Sequence, residues 1–86
     1  MRVDLALKRL LLVKSRTEGK EACDVGSVRV NGARVKASHE LRVGDRVRIE
    51  YAERTLEIEL LGDIGKSESR ERAKSLYKVL ADERSA

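Results

Sequence analysis

Two periodicities organise the apolar positions of this chain. In the opening "VDLALKRLL", Val3, Ala6, Leu7, Leu10 and Leu11 recur at i, i+3, i+4, i+7 and i+8, one face of a first helix. Asp4 is placed to cap that helix and sits one turn before Lys8. Leu12 and Val13 carry the apolar run beyond one face, so the pattern leaves the end of the helix open. "SRTE", Ser15 to Glu18, has the form of a capping box and predicts a second helix from about Arg16 to Val25, closed by Gly26. The inner face of this helix is Gly19, Ala22, Cys23 and Gly26, all small, which predicts close approach to a neighbour. Cys23 on that face reads as a buried small hydrophobe.

From Gly26 the period becomes two. In "GSVRVNGARVKAS", Asn31-Gly32 lies between short alternating runs, the strongest short-range signal for a hairpin. With those two residues at the turn, Val28, Val30 and Val35 point inward. Arg29 then faces Arg34, with Lys36 further along, and like charges opposed across a strand pair are destabilising. "LRVGDRVRIEY" predicts a turn at Gly44-Asp45, then Val47, Ile49 and Tyr51 inward against Arg46, Arg48 and Glu50 outward. "TLEIELL" alternates Leu56, Ile58 and Leu60 with Glu57 and Glu59. The outward Arg and Glu residues of these two runs are expected to pair across the strands, with little net energy. His39 falls in a polar loop and reads as solvated. "GDIGKSES" reads as a linker. A last helix is expected to start near Ser67 or Ser69, with Ala73, Leu76, Tyr77 and Leu80 on the face that docks on the sheet or the first helices.

Composition narrows the class. At 86 residues this is one domain, and with 41% hydrophobic residues but no Phe, no Trp and two Tyr its core must be small and aliphatic. A single cysteine excludes an internal disulfide, and Cys/His metal sites lack ligands, so no cofactor is expected. The first apolar run has no small-residue cleavage site and contains Asp4, Lys8 and Arg9, so neither a signal peptide nor a membrane span is expected, and the cytoplasm is the expected location. Charge is unevenly spread. Residues 1–36 carry nine Lys/Arg and four Asp/Glu, a net +5; residues 37–65 carry −3; residues 66–86 carry +2. Segregated basic charge suggests a polyanion partner, with an ordinary solvated surface as the alternative.

Arg16 and Lys20 lie at and one turn beyond the start of the second helix, where cations oppose the helix dipole. With the free N–H groups there they would suit a phosphate. Arg29, Arg34 and Lys36 form a second unfavourable cluster close in sequence, and a bound phosphate chain would turn both repulsions into attraction. Catalysis finds little support: there is one loop histidine, no Ser/His/acid set and no Walker-type loop.

The order "RVDLALKR", "SRTEGKEACDVGSVRVNGARVKAS", "LRVGDRVRIEY" resembles the RNA-binding domain typified by ribosomal protein S-four (the alpha-L motif), over residues 2–51. Arg16-Thr17, Lys20-Glu21, Lys36-Ala37-Ser38 and the Ala73, Leu76, Tyr77 pattern are similar to a stand-alone group within it. That group comprises the ribosome quality-control P-site factors and the fifteen-kilodalton heat-shock proteins. The resemblance implies an α+β fold with two N-terminal helices packed on a small, mostly antiparallel sheet, plus a C-terminal helix. Residues 1–65 would form the RNA-binding domain, and 66–86 a linker and helix docked on it. It also implies a non-catalytic factor that binds large-subunit rRNA and P-site peptidyl-tRNA on obstructed large subunits. Such a factor acts with a protein that recruits alanyl-tRNA, so that stalled chains gain a C-terminal alanine tail; it would be monomeric away from the ribosome. The alternatives are large-subunit recycling without tailing, or a protein-interaction module with a basic face. The expected RNA contacts are Arg2, Lys8, Arg9, Lys14, Arg16, Thr17, Lys20, Arg29, Arg34 and Lys36. Arg2 and Arg16 lead that set for rRNA, and Asp4 positions Arg2 or caps the first helix.

Overall fold

The computed structural model describes residues 1–66 and 69–85. The element order is α1 (Val3–Arg9), α2 (Arg16–Asp24), β1 (Val28–Val30), β2 (Ala33–Arg34), β3 (Arg46–Tyr51), β4 (Arg54–Leu60), α3 (Arg70–Ser75) and β5 (Tyr77–Arg84). The strands make one antiparallel sheet in the order β2-β1-β3-β4-β5. Val3, Ala6, Leu7 and Leu10 of the first helix and its C-cap meet Val28, Val30, Val47, Ile49, Leu56, Ile58 and Leu60 of the sheet in one core. The alternation therefore puts every expected inward aliphatic of β1, β3 and β4 on the helix-covered face.

The first helix ends sooner than its apolar stripe. Leu11 adopts a left-handed φ of 61°. Its N–H donates to Lys8 O (3.0 Å) and the Leu12 N–H to Leu7 O (2.9 Å), a Schellman closure normally built on glycine. Leu11 consequently leaves the core and is 53% exposed, against the expectation that it would pack inward.

The Asn31-Gly32 hairpin forms with Arg29 opposite Arg34, and both turn residues have positive φ (52° and 85°). Asn31 also ties the turn to β3, its Oδ1 accepting the Arg46 N–H at 3.0 Å and its Nδ2 donating to Asp45 Oδ1 at 3.1 Å. β3 and β4 set Arg46 opposite Glu59 and Arg48 opposite Glu57, so outward Arg and Glu residues do face each other across the strands. Among the described residues, however, neither pair closes into an ion pair.

The C-terminal helix is present but short. Ser69 caps it, its Oγ accepting the Arg72 N–H at 3.2 Å; the other expected start, Ser67, lies outside the described residues. Ala73 and Leu76 are buried as expected, but Tyr77 and Leu80 belong to β5, not to the helix. The reason is the free edge of β4, whose backbone donors and acceptors are satisfied by Tyr77–Arg84. A bidentate ion pair from Arg54 to Asp82 (2.8 and 3.1 Å) fixes the register.

Candidate nucleic-acid interface

Two arginines from different helices converge on one buried carboxylate. Asp4 is not the N-cap of α1; that position is Arg2, and Asp4 lies in the first turn. The loop 37–39 satisfies the start of the helix instead, with Val3 N–H donating to His39 O (2.9 Å) and Asp4 N–H to Ala37 O (3.2 Å). The Asp4 side chain, 3% exposed, receives Arg2 Nε on Oδ1 (3.0 Å), Arg2 Nη2 on Oδ2 (3.1 Å), Arg16 Nε on Oδ2 (3.3 Å) and the Leu5 N–H on Oδ1 (2.8 Å). Burial pushes the carboxyl up, but the hydrogen bonds from Arg2, Leu5 N–H and Arg16 together outweigh it and hold Asp4 below its ordinary value.

The arginines remain open to solvent, 43% exposed for Arg2 and 48% for Arg16. Arg2 uses one edge of its fork on Asp4, and Arg16 only its Nε, so the Nη groups of Arg16 stay available for bidentate contact with a phosphate. Gly19 makes the meeting possible, because a Cβ there would stand 2.9 Å from the Asp4 carbonyl oxygen. The expected small-residue face of α2 is thus what brings Arg16 to Arg2. Cys23 on the same face is buried, and burial pushes its thiol up, consistent with a packing role. The Ser15 cap holds as expected, its Oγ accepting the Glu18 N–H at 3.1 Å.

The remaining expected contacts divide among separate places. Thr17 and Lys20 are exposed on α2, with Lys20 Nζ 2.9 Å from Asp24 Oδ2. Lys8, Arg9 and Lys14 line a groove at the far end of α1. Arg29 lies on the open face of the sheet beside Arg46 and Arg48, two cations the sequence reading assigned to ion pairs. Lys36 is exposed in the loop after β2.

Arg34 has a partner within the fold. It stands opposite Arg29 by register, but its Nη2 donates to the Asp24 carbonyl oxygen at the C-terminal end of α2. The apparent repulsion in the hairpin is thereby relieved inside the fold, by a helix-end acceptor of the favourable sign. The hairpin and Arg16 occupy opposite ends of α2, about 13 Å apart at 1.5 Å per residue, so the two expected clusters are separate in space as well. Arg34→Gln should therefore cost up to about 1 kcal/mol in a denaturant melt. Arg29→Gln should stay within about 0.5 kcal/mol of wild type. Equal stability of the two variants would mean that the Arg34 contact contributes nothing.

The S4 domain matches residues 1–47. The RQC P-site tRNA stabilizing factor of Streptococcus pneumoniae is 34% identical over 84 residues, covering 98% of this chain and 94% of that protein. This chain belongs to the S4-domain family of RQC P-site tRNA stabilizing factors. The Bacillus subtilis member is 30% identical over 84 residues, 98% of this chain and 96% of its own. The trimeric structure of Vibrio cholerae Heat Shock Protein 15 shares the fold, with a TM-score of 0.86 at 22% identity, over 94% of this chain and 82% of that chain. The Asp4-centred arginine pair, the small face of α2 and the hairpin all lie inside the S4 segment. Among the described residues no helix is long and apolar enough to cross a membrane, and no group of three or more His, Cys, Asp or Glu is placed to hold a metal.

Sequence reading missed three cations, Lys66, Arg70 and Lys74, which line the same groove as Lys8, Arg9 and Lys14. A signal was present: Arg70 and Lys74 are spaced i, i+4, a like-charge pair that disfavours an isolated helix.

Proposed function

We propose that this protein is a non-catalytic RNA-binding factor of ribosome quality control. It binds P-site tRNA and rRNA on large subunits obstructed by peptidyl-tRNA and supports alanine tailing by a partner that recruits alanyl-tRNA. Family membership supports the tRNA role, since full-length relatives at 30–34% identity are named as P-site tRNA stabilizing factors. The observation that carries the reading is the arginine pair on Asp4. Its guanidinia are held in place before a ligand arrives, half exposed, and with donors to spare. Pre-ordered donors lose little freedom on binding, which favours affinity for a shaped phosphate surface.

Sedimentation tests it, over a salt series with large subunits that are empty or retain peptidyl-tRNA. Loose phosphate binding falls with a log–log slope of roughly −0.7 to −0.9 per contact. A site built from both rRNA and tRNA offers contacts that loose RNA lacks, so preference for the tRNA-bearing subunits should persist as salt rises. Arg16→Ala should weaken retention about tenfold and, through the lost hydrogen bond to Asp4, cost about 1 kcal/mol in the melt. Equal retention of the wild-type protein on both kinds of subunit at every salt would remove the rescue reading.

A further inference from the structure

Six cations and two tyrosines surround a groove of about 800 Å³ between the α1–α2 turn and α3. Lys8, Arg9 and Lys14 line it from the α1–α2 segment, Lys66, Arg70 and Lys74 from the segment that leads into and forms α3, and Tyr51 and Tyr77 from the sheet. Among the described residues one acid, Glu18, lines it, and none of the six cations forms an ion pair. Six like charges against one acid among the described residues repel one another in the free protein; a polyanion threaded between them removes that repulsion. At the mouth stands Leu11, exposed and left-handed where glycine would fit without strain.

We propose that this groove is a second RNA contact surface, which takes phosphates other than those met by Arg2 and Arg16. The two sites lie at opposite ends of α1, a seven-residue helix about 10 Å long, so a single phosphate group cannot serve both. Three of the six cations lie beyond the matched S4 segment, so the C-terminal part of the chain completes the groove. RNA fits better than an acidic protein surface because the groove joins six cations to the exposed Leu11 and to the partly buried Tyr51 and Tyr77, an apolar lining against which a base can lie. The inference rests on the RNA-binding reading above and assigns a surface that reading does not use.

Fluorescence anisotropy with free bulk tRNA as the probe tests it. Full-length wild type is compared with the triple variant Lys66→Gln, Arg70→Gln, Lys74→Gln and with Arg2→Ala, Arg16→Ala, from low to high salt. Loss of three phosphate contacts should make the log–log salt slope shallower by roughly 2 to 3. The arginine double variant should lose a separate increment, and the two losses should add. Wild-type affinity and slope in the triple variant would overturn the groove as an RNA site, even if preference for tRNA-bearing subunits persists. The converse pair, an altered slope without subunit preference, would support the groove and remove the rescue role. Thermal melts accompany each variant; if the triple variant melts early, Lys66→Gln, Lys74→Gln replaces it, with a slope change of roughly 1.4 to 1.8. Polyglutamate of matched charge serves as a second probe. Binding as tight as tRNA's, with the same loss in the triple variant, would overturn the RNA assignment in favour of an acidic protein.

Discussion

Asp4→Ala should destabilise the fold by about 2 kcal/mol and weaken tRNA binding about tenfold. The substitution leaves the part-buried Leu5 N–H without its acceptor and releases Arg2 and Arg16 together. Breaking a fully buried ion pair would cost more, about 3–5 kcal/mol, but here both guanidinia are nearly half exposed and rehydrate. The binding loss follows from order: each arginine, no longer held by the carboxylate, must be immobilised on binding at about 0.5–1.5 kcal/mol. Denaturant melts and anisotropy on the same variant check both numbers. A folded variant with wild-type affinity would show that the pre-ordered pair is not the RNA contact.

The same carboxylate sets a pH dependence. Folding lowers the Asp4 pKa, so in the window between its folded and unfolded values the folded chain binds fewer protons than the unfolded one. The stabilisation is complete above the unfolded carboxylate value of about 3.9 and is lost as pH falls through the lower, folded value. Unfolding free energies measured between about pH 6 and pH 2 should fall more steeply in wild type than in Asp4→Ala. Parallel curves would mean that Asp4 is not specially stabilised as the anion.

Gly19→Val should cost about 3 kcal/mol and disturb the same pair of arginines without touching them. The new Cβ would stand 2.9 Å from the Asp4 carbonyl oxygen and 3.3 Å from its Cα, and backbone on a core helix has no flexible end to swing aside. The helices must separate, drawing Arg16 away from Asp4 and loosening the contact across Cys23. A β-branched residue offers little helix propensity to offset this, whereas alanine would recover up to about 1 kcal/mol. Melts of Gly19→Ala and Gly19→Val measure the difference. Wild-type stability in the valine variant would show that α1 and α2 are not held this closely.

Local chemistry was legible in the chain. Ser15 and Glu18 start α2, Asn31-Gly32 turns the hairpin in the expected register, and strict alternation in β3 and β4 sends each aliphatic inward. These features depend on neighbours a few residues apart, where caps, turns and side-chain period leave few alternatives. The small face of α2 likewise announced a close contact, though not its partner.

What the sequence left open depends on partners far along the chain. Tyr77 and Leu80 have helical spacing as much as strand spacing, and the unpaired edge of β4 decides between them. Arg34 reads as a repelled hairpin charge until the end of α2 is brought beneath its guanidinium. Lys66, Arg70 and Lys74 look like solvated charges until the fold brings them to the same groove as Lys8, Arg9 and Lys14. The chain by itself thus determined its first two helices, the strands β1, β3 and β4, its core and its basic character. Tertiary structure alone decided which cations are neutralised and which stand together, because charge interactions depend on distance in space, not separation in sequence.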